Sequence, residues 1–433
     1  MPIVFSIVRT LANKLQEGIF YDKMREFKSY GNYSYAILFL KILKGFKAEH
    51  VANALKKIWQ MYELLKKGQI PDLDRCTVPA GGLSVLIGYG PQVFKIPGIA
   101  KRIPKDFAWM QFLPTVIDNP ILDGCGINYS HETCQTVSAP EHIAIQFISR
   151  TQLGSYRAVV ETWRHINNLT NDDQCLQFTR FFTGFQRDDG RSWLGFHDEV
   201  SNMKDKKERK ESIVIDRTSN QLKPDDFWTE GGTYMGFLRT EIDLEAWDRI
   251  GRIGQEMIIG RDKKTGTPII GVDEEGKPII VEGYDGADPA KFYDTTFHEH
   301  PDYLKPSKFN NTRRIDIEKS RNVLIQSHIG RTRHISNISS KDPTSRRIYR
   351  QGFEFIEPLY NEKKPFRLGL NFISFQNDPR RLFFILTDPR WMGKSNFGGP
   401  NDLFNNKILS VLFAGMFFVP PTQEPFPGYS LFH

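Results

Sequence analysis

The sequence predicts an α+β fold built from two consecutive units with antiparallel sheets. Residues 33–186 read as strand, helix, strand, strand, helix, strand, the element order of a ferredoxin-like unit. Residues 232–419 give elements of the same class, with no residue-level repeat of the first set, so tandem ferredoxin-like units rest there on element order. The 433-residue length suits two or three domains of about 150 residues each. A boundary is expected between residues 1–194 and 195–433.

Each element has its own signal. Tyr33 to Leu43 is apolar, β-branched and aromatic, as a strand requires. From Glu49 to Lys67, Val51, Leu55, Ile58, Tyr62 and Leu65 recur at steps of three and four, one face of a helix that Gly68 ends. Gly82 to Gly88 is a strand followed by a Gly90-Pro91 turn, and residues 95–140 form a long excursion rich in Pro and Gly. Glu141 to Ser149 alternates at Ile143, Ile145 and Phe147, Thr151 to Leu169 has a helical pattern, and Cys175 to Gln186 is a strand. In the second half, Gly232 to Thr240 is a strand and Asp243 is a good N-cap for a helix carrying Leu244, Trp247, Ile250 and Met257. Residues 261–320 form a second excursion; then come strands at Gly352–Ile356 and Gly369–Gln376, a helix from Pro379 to Leu386, and a last strand at Phe413–Val419.

Composition narrows the function. Hydrophobic residues make up 39% and charged residues 25%, which is ordinary for a folded globular chain. The 33 Phe suit either a Phe-rich core or an apolar interior for a flat ligand. A net charge of +7 favours anionic partners, but no recognised nucleic-acid motif accompanies it. The densest basic run, Lys204 to Lys210, is broken by acids and reads as a solvated surface loop. The four cysteines form no CxxC pair, which fits reduced thiols in a cytoplasmic protein. The first residues lack the pattern of a signal peptide. The apolar run from Ile408 to Val419 falls short of the ~20 residues a membrane helix needs and reads as a core element. No nucleic acid and no membrane are therefore expected as partners; a homo-oligomer is left open.

Three segments carry candidate chemistry: Gly195-Phe196-His197-Asp198-Glu199, Ser327-His328, and Arg347-Ile348-Tyr349-Arg350. A His can hold haem iron from one side. Cleaving a peroxide O–O bond needs a base that takes a proton from one oxygen and returns it to the other, and a cation for the leaving oxygen. Asp198 can be that base, and Arg350, whose guanidinium keeps its charge when buried, that cation. Singly, each residue fits a plainer role as well. His328 follows the apolar Val323-Leu324-Ile325 and suits a hydrogen-bonded buried histidine, with His334 its rival as ligand; Asp198 suits a turn or cap; Arg350 suits a surface ion pair.

Taken together and in order, these segments resemble the dye-decolourising peroxidase (DyP-type haem peroxidase) family. Gly195 and Asp198 fit its glycine-x-x-aspartate-glycine motif. Thr233-Tyr234-Met235, the Asp243 to Arg249 segment, Gly260 to Lys263, Arg347 to Arg350, Leu370 to Gln376 and Phe417 to Pro421 are similar to later family segments, and Gly88-Tyr89-Gly90 to an upstream one. The resemblance covers most of residues 80–421.

It implies a haem b (iron protoporphyrin IX) enzyme of two ferredoxin-like units, with haem mainly in the C-terminal one. His328 is the implied iron ligand; Asp198 and Arg350 are the implied groups on the peroxide side. Leu370 and Phe372 are implied to roof that side, and Phe196 and Glu199 to line it; Arg331, Arg333 and His334 belong to the expected haem surroundings. Asp378 is the candidate acidic partner of His328. The implied reaction reduces hydrogen peroxide at the expense of dyes or other aromatic or anionic reductants. Glu199 replaces the motif's second glycine, Asn202 lacks the usual following proline, and Gly330 stands where an arginine is common. These departures keep alive the alternative of a haem carrier, store or sensor with little turnover.

Overall fold

The computed structural model describes residues 15–19, 33–70, 73, 77–109, 120–122, 127–129, 141–169, 174–198, 202–203, 206–264, 266, 269–275, 278–280, 327–328, 346–360, 364–386 and 408–433. The first unit comprises β1 (Ser34–Ile42), α1 (Ala48–Lys66) and β2 (Ser84–Tyr89), then a short helix α2 (Lys105–Trp109) and the hairpin of β3 (Pro120–Leu122) and β4 (Ile127–Tyr129). It is completed by β5 (Ile143–Ser149), α3 (Gln152–Asn167) and β6 (Leu176–Phe185). The second unit follows α4 (Lys206–Ile213) and contains β7 (Thr233–Ile242), α5 (Leu244–Ile259), the hairpin of β8 (Ile269–Val272) and β9 (Pro278–Ile280), β10 (Tyr349–Pro358), β11 (Phe366–Gln376), α6 (Arg380–Leu386) and β12 (Leu409–Val419). A last short helix, α7 (Tyr429–Phe432), comes after it.

The fold is α+β with antiparallel sheets, as the element order predicts. Strands β6-β1-β5-β2 form one ferredoxin-like sheet and β12-β7-β11-β10 the other. The two sheets close into one eight-stranded barrel, meeting at Phe418↔Tyr89 and at Glu354↔Phe185. Alternation along each strand then sorts side chains into three layers. The barrel interior holds Tyr35, Ile37, Phe39, Met235, Phe237, Phe353, Phe375, Phe413 and Phe417, all buried. Tyr35 stacks on Phe353 with ring centroids 4.2 Å apart, and Phe39 meets Phe237 and Phe413 at 5.6 and 4.7 Å, so aromatic rings bridge the two sheets.

Outside the first sheet, α1 buries Val51, Leu55, Ile58, Tyr62 and Leu65, the stripe read from the sequence. Phe426, Leu431 and Phe432 join that same core from the far end of the chain. Tyr89 donates its hydroxyl to the Pro427 carbonyl at 2.6 Å, and the Ala100 N–H meets the Leu431 carbonyl at 2.8 Å, fixing the tail there. Outside the second sheet, Leu238, Leu368, Ala414, Met416 and Phe418 pack with Trp247 of α5 and with Leu382 and Ile385 of α6.

One expectation needs correction, and two gain detail. The Lys204–Lys210 run is not simply a surface loop: Lys206–Ile213 forms helix α4, Arg209 is buried, and Glu208 pairs with Arg347 at the head of β10. The residues after Gly90 make a turn of 3-10 helix over Pro91–Lys95. The helix capped by Asp243, whose carboxylate accepts the Ala246 N–H at 2.9 Å, is interrupted at Gly251. Among the described residues no helix is long and apolar enough to cross a membrane.

Candidate functional site

The site is built on the outer face of the second sheet. In an antiparallel ladder, residues directly opposite each other point to one face. The register Arg350↔Ser374, Gly352↔Phe372 and Glu354↔Leu370 therefore puts Arg350, Gly352, Glu354, Leu370 and Phe372 on one surface. The next strand continues it, because Leu370 faces Thr240 and Phe372 faces Leu238. Arg350, Leu370 and Phe372 are half-buried.

Asp198 arrives on this surface from the loop after β6. Its Oδ2 lies over Gly352, where an added Cβ would stand 2.5 Å from that oxygen and 3.3 Å from Leu370 Cδ1. Only glycine at 352 leaves room for the carboxylate. The loop itself is tightly tied. Gly195 takes a left-handed φ of +85°, which closes a turn between Ser192 and Phe196: the Gly195 N–H reaches the Ser192 carbonyl at 2.8 Å, and the Ser192 N–H reaches Phe196 at 2.9 Å. The Asp198 N–H bonds the Gly190 carbonyl at 3.0 Å. Phe196 is buried against Trp247, whose indole N–H donates to the Leu194 carbonyl at 3.1 Å. Arg191 donates to the carbonyls of Gly195 and Lys263, both at 2.7 Å, and to that of Lys264 at 2.9 Å. Its guanidinium also lies 2.9 Å from His197 Nε2; burial and this cation push the His197 pKa down, so the ring stays neutral and accepts.

Asn202 joins the loop to the strand. Its side-chain amide donates to the Arg350 carbonyl at 2.7 Å and accepts the Arg350 N–H at 3.0 Å. Asn202 is buried, so this clamp fixes the backbone that carries Arg350 relative to the loop that carries Asp198.

The structure thus brings Asp198, Leu370, Phe372 and Arg350 onto one surface, and places Phe196 beneath it as a packing anchor. His328 is half-buried beside the buried Ser327, with its Nδ1 shielded from solvent. Asp378 is buried near the start of α6, where it caps the Arg380 N–H at 2.9 Å and ion-pairs with the Arg380 side chain. Glu199, Arg331, Arg333 and His334 lie outside the described residues. Sequence reasoning missed Gly352, Asn202 and Glu354. Gly352 and Glu354 were signalled by their period-two spacing from Arg350; the Asn202 clamp left no local trace.

Among the described residues no cluster of three His, Cys, Asp or Glu side chains is placed to hold a bare metal ion. What the sheet face presents instead is a carboxylate and a guanidinium at the margin of an apolar surface, with the His328 imidazole on a separate segment. Residues 189–424 match the family profile described as Dyp-type peroxidase, C-terminal. The chain belongs to the Dyp-type peroxidase family.

Solved Dyp-type peroxidases share the whole fold. The DyP-type peroxidase of Streptomyces coelicolor superposes with a TM-score of 0.66 at 17% identity, over 97% of this chain and 95% of its own. The ferric DtpA of Streptomyces lividans gives 0.65 at 18% identity, over 97% and 95%. Among curated relatives, the deferrochelatase of Escherichia coli O157:H7 is 25% identical over 193 residues, 45% of this chain and 36% of that protein. The chain therefore spans about a third of the length of that curated relative.

Proposed function

We propose that the protein is a haem b peroxidase that reduces hydrogen peroxide and oxidises aromatic or anionic, dye-like reductants. The observation that carries this reading is the Asp198 carboxylate seated over Gly352, on the same sheet face as Arg350, in a chain of the Dyp-type peroxidase family. The residues suit haem: Leu370 and Phe372 give a flat apolar surface, the nearby carboxylate and guanidinium suit peroxide, and His328 is the candidate iron ligand. Bound haem supplies an iron centre that takes up peroxide and exchanges electrons with it.

The protein's own groups supply the rest. Asp198 moves a proton from one peroxide oxygen to the other. Arg350 offsets the negative charge that grows on the leaving oxygen, and the Asn202 clamp keeps it in register with Asp198. Leu370 and Phe372 narrow the approach to small oxidants. Reductants too large for that space give up electrons at the surface, where the net charge of +7 attracts anions.

A second reading is a haem-binding protein with little peroxide turnover. Glu199 in place of the motif glycine and the likeness to proteins named deferrochelatase favour it. Absorption spectroscopy of the haem-loaded protein separates the two. The peroxidase reading expects a Soret band that changes rapidly on adding peroxide, about 10²–10⁴-fold more slowly in Asp198→Asn and about 10²–10³-fold in Arg350→Leu. Parent-like rates in both variants would overturn the assigned roles, and a Soret band indifferent to peroxide would favour the second reading.

A further inference from the structure

Glu354 is a buried carboxyl that the chemistry above leaves unused. It is 4% exposed, and its Oε2 is buried with no hydrogen-bond partner. It follows Gly352 by two residues on the same face of β10, so it stands next along the strand from the carboxylate of Asp198. The groups that face it are Asp198 from the loop, Arg187 and Asp189 from the turn after β6, and the backbone N–H of Trp193, which it accepts. Across the ladder its neighbour is the apolar Leu370. Burial, first, and the negative charge of Asp198, second, push its pKa well above the usual carboxylate range, against the pull of Arg187. Arg187 is paired with Asp189, whose side chain is 41% exposed, and lies 4.7 Å from the ring centre of Trp193. Asp198, Glu354 and the Arg187–Asp189 pair thus lead from the peroxide side of the sheet towards water.

We propose that Glu354 is a proton-holding relay residue that hands a proton to Asp198 and recovers one from solvent at the Arg187–Asp189 turn. This rests on Asp198 acting as the group that moves the peroxide proton. Reducing one hydrogen peroxide to two waters consumes two electrons and two protons. The reductant gives the electrons; each proton in turn leaves Glu354 as its O–H bond breaks, forms an O–H bond on an Asp198 oxygen, and passes from there to the oxygen that leaves as water, so that Asp198 is a carboxylate again before the next. The carboxylate left on Glu354 faces the Arg187 cation until water at the turn reprotonates it. Glu354 does not touch peroxide in this scheme; it acts through Asp198.

Two measurements test this. Infrared spectra of the full chain at neutral pH, without haem or peroxide, are expected to show a carboxylic-acid C=O band that shifts in D2O and is missing from Glu354→Gln. With haem loaded, Glu354→Gln is expected to turn over peroxide about tenfold more slowly, with an altered pH profile and a larger solvent isotope effect, and Glu354→Asp to recover part of the rate. Absence of the band from the parent overturns the proposal. So does a Glu354→Gln variant with the parent's pH profile and isotope effect; if the parent and Asp198→Asn then still differ, the relay fails while the peroxidase reading stands. A parent that never turns over peroxide ends both, whatever the band shows. If Glu354→Gln does not fold, Arg187→Gln serves: the band should persist to higher pH than in the parent, and an unchanged band overturns the proposal.

Discussion

The side-chain amide of Asn202 pairs with both backbone polar groups of Arg350, 148 positions later, in the manner of one more strand. Asn202 is buried, so Asn202→Ala would leave a shielded N–H and carbonyl unmatched. Each such group costs about 1–3 kcal/mol. Asn202→Ala is expected to lower stability by about 2–4 kcal/mol in urea unfolding and to slow the peroxide reaction while haem is retained.

Gly352→Ala tests the seat of the carboxylate directly. Its methyl group would meet Asp198 Oδ2 at 2.5 Å and Leu370 Cδ1 at 3.3 Å. The carboxylate is the closer of the two and must shift. Stopped-flow measurement is expected to show a loss approaching that of Asp198→Asn, about 10²-fold or more, with the melting temperature little changed.

His142 should make stability depend on pH. Its Nδ1 accepts the Ile42 N–H at 3.0 Å, and burial together with Lys41 pushes its pKa down to about 4. In the unfolded chain the ring charges near pH 6.5. The fold thus prefers the neutral ring, and this contribution is fully present above about pH 6.5 and lost as pH falls towards 4. Asp106 works in the opposite sense, since burial raises its carboxyl to about 6. The difference between the parent and His142→Asn, which keeps an acceptor and cannot titrate, isolates the histidine. Urea midpoints from pH 4 to 7.5 should show a gap that changes across this range; a constant gap would refute the assignment.

Phe426 is fully buried in the core outside the first sheet, where it meets Tyr429 and Phe432 edge-on or tilted at 5.6 and 6.1 Å. Phe426→Ala is expected to cost about 3–5 kcal/mol, read from thermal or urea unfolding.

Much of this architecture was legible beforehand, because strands with buried alternate positions and helices with one apolar stripe write their period into the sequence. Asp243 announced α5 by its capping chemistry, and Asp198, Arg350, Leu370 and Phe372 were found from motif order and fall on one surface. What stayed hidden depends on partners distant in sequence. The α4 segment reads as charged and solvated because only Arg209, Ser212 and Ile213 turn inward, and one of those is itself a cation. Glu354 looked like any polar strand residue; its character comes first from burial and then from Asp198, which reaches it from a loop more than a hundred positions earlier.

The tail that fills the first unit has a consequence for how the protein is made. Phe426, Leu431 and Phe432 follow every strand of the barrel in the chain, yet they complete packing around α1 near its beginning. During synthesis the amino-terminal half must wait, with an unsealed apolar hollow, until the ribosome has delivered these rings. Packing around α1 is accordingly completed only after every barrel strand has been made, and a ribosome stalled before residue 426 would display sticky surface to the cell's chaperones.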